Sequence, residues 1–112
     1  MTEYELLLKK VSLLEYHQKL LLELLNNPKL EFYKLIIEKG ISKQEVKKFF
    51  QLCDEMSIKL EEQKAEGYVY FHPLFDEISA SLPGSLEIKE VLNACIKQGL
   101  FKTLFLEFKK YI

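Results

Sequence analysis

Apolar residues recur along this chain at three- and four-residue steps, and the steps divide it into helices. The clearest case spans residues 42–66. Val46, Phe49, Phe50, Cys53, Met56 and Leu60 fall on one arc about 120° wide at about 100° per residue. Ser42 followed by Glu45 is a capping box, in which each side chain satisfies a backbone amide near the other. Gly67 supplies the stop, since glycine takes the left-handed turn after a helix without steric cost. Glu55 stands four residues before Lys59, the favourable order on a wet face.

The N-terminal segment is patterned differently. Thr2 with Glu5 is a second capping box, opening a helix to about Leu25. Leucines stand at 6, 7, 8, 13, 14, 20, 21, 22, 24 and 25, with Val11 among them. They sweep an arc of roughly 240°, whereas a surface helix needs about 100°. Glu5, Lys9, Ser12, Tyr16, Lys19 and Glu23 form the narrow polar stripe that is left. A small domain hides so wide an arc only if the helix is central or another copy covers the remainder. Contiguous exposed apolar surface marks interfaces. The pattern therefore predicts self-association, as a dimer or trimer, through Leu7, Val11, Leu14, Gln18, Leu21 and Leu25. Lys10, His17 and Gln18 fall inside the arc, and a polar residue in such a seam sets register and chain number.

Further helices follow. Asn27 suits a cap and Pro28 the first position of a helix running to Lys39, with Phe32, Leu35 and Ile36 inward. Gly40-Ile41 reads as a glycine stop with a hydrophobic residue folding back. Only Ser42 then separates this helix from the next, which predicts a tight antiparallel or angled pair. Tyr68-Val69-Tyr70-Phe71 is the one β-flavoured run, too short for a sheet without a partner strand. It reads as an extended linker with Val69 and Phe71 on one side and the tyrosines on the other. His72 is placed to cap a short helix carrying Leu74, Phe75 and Ile78, and Leu82-Pro83-Gly84-Ser85 is a turn. A helix with Ile88, Val91, Leu92, Cys95 and Ile96 inward ends at Gly99. A last one aligns Leu100, Phe101, Leu104, Phe105, Phe108 and Ile112. The expected fold is all-α, a single domain over residues 1–112 with five to six helices, self-associating through the first.

Composition narrows the function classes. Among 112 residues the net charge is −1, so no overall field draws in nucleic acid or an anionic membrane. All sixteen basic residues are lysines. Without arginine there is no planar fork for bidentate contacts to phosphate or guanine, although lysine still binds phosphate as a point charge. Cys53 and Cys95 fall on apolar arcs and read as buried thiols behaving as small hydrophobes. No basic stretch follows Met1, as a secretory leader requires. Glu15, Lys19 and Glu23 interrupt the longest leucine run, which excludes a membrane-spanning helix. These features predict a cytoplasmic setting. Heavy lysine, isoleucine and asparagine usage without arginine hints at an AT-rich genome, of a Firmicute or its phage.

Several short motifs carry a resemblance. Phe32-Tyr33, Lys39-Gly40-Ile41-Ser42-Lys43, Cys53-Asp54-Glu55, Gln63-Lys64-Ala65, Gly67-Tyr68-Val69, Phe71 and Gln98-Gly99-Leu100 resemble the YhaI-like family of small Bacillus proteins, over about Leu14 to Leu104. The resemblance implies an all-helical, self-associating fold and carries no catalytic residues. Where an aspartate cap is expected after Phe71, this chain has His72-Pro73.

Candidate chemistry is sparse. His72 and Asp76 lie four apart, but a stable metal site needs three or four ligands and no third is evident; no metal and no cofactor are expected. Neither cysteine has an adjacent histidine motif, and burial dulls a thiol. No phosphate loop, serine elbow or dinucleotide fingerprint is present. Gly67-Tyr68-Val69-Tyr70-Phe71 matches the tail of an RNA-recognition signature, but that signature works on a strand within a sheet and here helices flank it. Lys43, Lys47 and Lys48 after the Gly40 turn are the basis of a weaker DNA-binding reading. Lys64, on the apolar arc, is followed by Tyr68, Tyr70 and His72. Together these four form a candidate pocket for a nucleotide-like anionic aromatic ligand. The leading expectation is a non-enzymatic homo-oligomer acting by binding, as a protein-interaction or regulatory module, with small-ligand binding the alternative.

Overall fold

A computed structural model describes every residue from Met1 to Ile112. The chain is all-α, with six helices, a closing 3-10 turn and no strand. The helices are α1 (Glu3–Asn26), α2 (Glu31–Glu38), α3 (Lys43–Ala65), α4 (His72–Ala80), α5 (Ile88–Gln98) and α6 (Lys102–Phe108), and the turn covers Lys109–Tyr111. One core of 22 buried residues draws on all six helices. At its centre Phe32 of α2 stacks on Phe49 of α3 (5.7 Å between centroids), and Phe49 on Phe105 of α6 (6.4 Å).

Helix ends follow their capping chemistry. Ser42 and Glu45 close their box in both directions at 3.2 Å, and Thr2 Oγ1 accepts from Glu5 N at 3.1 Å. Gly40 ends α2 with φ +66°. Ile41 N donates to Ile36 O (3.0 Å) and Gly40 N to Ile37 O (3.2 Å), the paired bonds of a Schellman stop. Ile41 thereby folds back into the core. The same pair of bonds ends α3 at Gly67-Tyr68 and α5 at Gly99-Leu100.

Other expectations are corrected. Helix α2 starts at Glu31, not at Pro28, because Asn27 Oδ1 accepts from Lys29 N (3.1 Å) and holds residues 27–29 as a turn. The cap of α2 comes from elsewhere: Gln98 Oε1 of α5 accepts from Phe32 N (2.8 Å) and Tyr33 N (3.2 Å). Helix α2 also packs chiefly on α5 and α1, and α3 on α4 and α6, so α2 and α3 meet mainly through Phe32 with Phe49 and Phe50. Phe71, not His72, precedes α4. The linker does not alternate: Phe71 is 2% exposed and Val69 91%. Phe71 leaves the extended path at ψ 18°, and its N–H is held by the Tyr111 hydroxyl at 2.8 Å. Lys59 reaches Glu77 of α4 at 3.3 Å rather than Glu55 on its own helix. Phe101 precedes α6 rather than joining it, and at φ 47° it is the one non-glycine residue in the left-handed region.

Candidate functional site

Helix α1 is tethered along one half. Every residue from Met1 to Ser12 is exposed. Further on, Leu13, Tyr16 and Leu24 are half-buried and His17 and Leu20 are buried. His17 Nε2 lies 2.8 Å from Ile41 O. A carbonyl only accepts, so Nε2 carries the proton and donates. That bond fastens α1 to the α2–α3 turn. Burial, then neighbouring Tyr33 and Glu23, push the Tyr16 phenol up, so its hydroxyl stays protonated.

The broad leucine arc resolves into two faces. Leu13, His17, Leu20 and Leu24 meet the body. Roughly 120° round the helix lie Leu7, Val11, Leu14, Gln18, Leu21 and Leu25. The five apolar members of this set are 43–79% exposed, and Gln18 is exposed. Their spacing alternates four and three, the heptad of a coiled coil with Val11, Gln18 and Leu25 at a and Leu7, Leu14 and Leu21 at d. Lys10 and Glu15 flank this stripe at g and e.

Behind the same helix is an open cleft of about 840 Å³. Leu8, Lys9, Lys10, Ser12, Leu13, Glu15, Tyr16 and Lys19 form its α1 wall, and Gly40 and Ser42–Glu45 the opposite one. A second groove of about 330 Å³ runs between α2 and α5, and its three lysines face three glutamates.

The candidate pocket residues lie around the end of α3 and the linker. Lys64 Nζ is 3.8 Å from Glu107 Oε1, and Lys110 Nζ is 2.6 Å from Glu107 Oε2. Glu107 is 9% exposed, so its carboxylate engages the one lysine of the set. The hydrogen bond and charge of Glu107 push the Lys110 ammonium up. Tyr70 stacks on His72 (5.9 Å), and Tyr111 meets both edge-on (5.9 and 5.1 Å). His72 Nδ1 lies 3.1 Å from Asp76 Oδ2. Tyr68 is exposed beside this cluster in sequence. Tyr111, which joins the linker to the C-terminal turn, carried no signal in the sequence because its partners lie forty residues away.

Lys43, Lys47 and Lys48 are all exposed at the start of α3. Cys53 and Cys95 are buried free thiols. Burial pushes Cys95 up to about 12. It also raises Cys53, to which Cys95 and Asp54 add. No helix is long and apolar enough to cross a membrane, and no three His, Cys, Asp or Glu side chains gather where they could hold a metal.

A family model described as "Protein of unknown function (DUF1878)" matches residues 4–112. The chain belongs to this family. The DUF1878 match takes in the whole heptad stripe, both walls of the cleft and the Tyr111 cluster, so all three features lie within the family's own span.

Proposed function

We propose that this DUF1878 protein is a non-catalytic, cytoplasmic homo-oligomer that acts by binding, and that α1 is the surface on which its copies meet. One observation carries this reading: the body completes its core without the heptad stripe of α1, which stays uncovered from Leu7 to Leu25. Uncovered leucine along about five turns is costly in water, at about 25 cal/mol per Å². A second copy offers the same stripe, and a two-fold assembly needs a self-complementary one. In a parallel arrangement Lys10 faces Glu15 of the partner subunit, a g-to-e pair of opposite sign. Gln18 then meets its own counterpart and penalises any shifted register. Leu8 and Leu22 beside the stripe are also exposed, which widens the surface enough for two or three helices. The resemblance to YhaI-like Bacillus proteins supports the same reading. No arginine and a net charge of −1 weigh against a nucleic-acid partner, and a ligand site at Lys64, Tyr68, Tyr70 and His72 would compete with Glu107 for its lysine.

Sedimentation velocity at tens of micromolar tests the reading. The wild type is expected to sediment as a dimer or trimer. The Leu14→Glu/Leu21→Glu variant is expected to sediment as a 13.3 kDa monomer with unchanged helical circular dichroism, since neither side chain belongs to the core. A wild-type protein that stays monomeric throughout sinks the proposal.

A further inference from the structure

The cleft behind α1 differs in charge from the groove between α2 and α5. Lys9, Lys10 and Lys19 line it from α1 and Lys43 from the first residue of α3, against Glu15 and Glu45. None of these four lysines takes part in an ion pair; the pairs of this chain use Lys39, Lys59, Lys64, His72 and Lys110. The α2–α5 groove is neutral by contrast, three lysines against three glutamates, with Lys39 and Glu90 already 3.7 Å apart. In a protein of net charge −1, this cleft thus carries a local excess of positive charge, four lysines against two glutamates.

We propose that this cleft binds a small anion bearing two or three phosphate groups. Ammonium groups hold phosphate as point charges, and several on flexible stems suit a ligand whose charge is spread over several oxygens. A volume of about 840 Å³ lies within the range of small-molecule sites, roughly 300–1,000 Å³. Tyr16, Leu8 and Leu13 add a ring and an apolar edge on the α1 wall, against which an attached organic group rests. The Tyr16 hydroxyl, kept protonated, has a proton to donate. A nucleic-acid backbone fits less well, because it needs a basic track continuing past the hollow, and this chain has no arginine to read bases. The site survives the assembly of α1. If a seam takes Lys10, Glu15 and Leu8, then Lys9, Lys19 and Lys43 remain against Glu45, with Tyr16 and Leu13 as the apolar edge.

Isothermal titration of the full chain with inorganic tripolyphosphate, and separately with ATP, tests this. Wild-type protein is expected to bind tripolyphosphate, and Lys19→Gln/Lys43→Gln to weaken binding by about tenfold or more, with affinity falling as salt rises. Lys34→Gln/Lys97→Gln, in the α2–α5 groove, is expected to leave it within about twofold. Tighter binding of ATP than of tripolyphosphate would assign the organic group to the Tyr16 edge. Absence of binding at millimolar ligand overturns the proposal, and so does equal weakening by both double variants, which would mean diffuse surface charge. A short DNA duplex bound in place of tripolyphosphate, and lost when Lys43, Lys47 and Lys48 become glutamine, also overturns it and transfers the lysines to a nucleic-acid role. None of these failures touches the α1 assembly, which sedimentation reads independently.

Discussion

Gln98 shows how much one side chain can join. Its amide oxygen takes two N-terminal amides of α2, the duty an N-cap residue performs from within a helix. Gln98→Ala is expected to cost about 1–2 kcal/mol, read as a lowered urea midpoint at unchanged slope. Glu107 presents an asymmetry. Its carboxylate is buried, whereas Lys64 and Lys110 are well exposed. Removing the acid leaves two solvated lysines, but removing both lysines leaves a buried charge with no partner. Lys64→Met/Lys110→Met is therefore expected to destabilise more than Glu107→Gln does, by the same titration. The buried thiols set an alkaline limit. Cys95 holds its proton up to about 12 when folded, while in the unfolded chain a thiol releases it near pH 8.5. The native state then binds more protons, so stability falls as pH rises above about 8.5, by at most about 1.4 kcal/mol per pH unit for one such group. Unfolding curves between pH 8.5 and 10 are expected to drop more steeply for wild type than for Cys95→Ala.

Helix ends written in local chemistry were legible in the sequence, and those supplied from a distance were not. Thr2, the Ser42/Glu45 box, Gly40, Gly67 and Gly99 each act within a few residues of themselves, and each stands where the spacing predicts. The start of α2 does not follow from Asn27-Pro28, because Asn27 uses its side chain on Lys29 while the working cap sits 66 residues downstream. Periodicity likewise located the apolar arc of α1 but not its division into a buried and a bare face, which depends on where the body sits. The candidate pocket residues are neighbours in sequence, whereas Glu107 and Tyr111, which hold Lys64 and the linker, come from the far end of the chain. Gly40 offers a clean test at this scale. A Cβ there meets nothing within 4 Å, so Gly40→Ala is expected to cost only the left-handed backbone, about 1–2 kcal/mol, in the midpoint of chemical unfolding.

The whole molecule is elongated, 53 × 35 × 20 Å, with a six-helix body and the first turns of α1 standing clear of it. If copies meet along α1, association stabilises the native state by mass action. The melting temperature of wild type is then expected to rise with protein concentration, and that of Leu14→Glu/Leu21→Glu to stay constant, which differential scanning calorimetry over a hundredfold range of about micromolar to sub-millimolar protein would show. The bond from Gln98 to α2 also has a bearing on how the chain is made. Eight residues are too few to hold a helix in water alone, and both the cap and the main packing partner of α2 lie in α5. On the ribosome, α2 therefore emerges unsealed, and it waits until the codons of α5 have been read before that end can close.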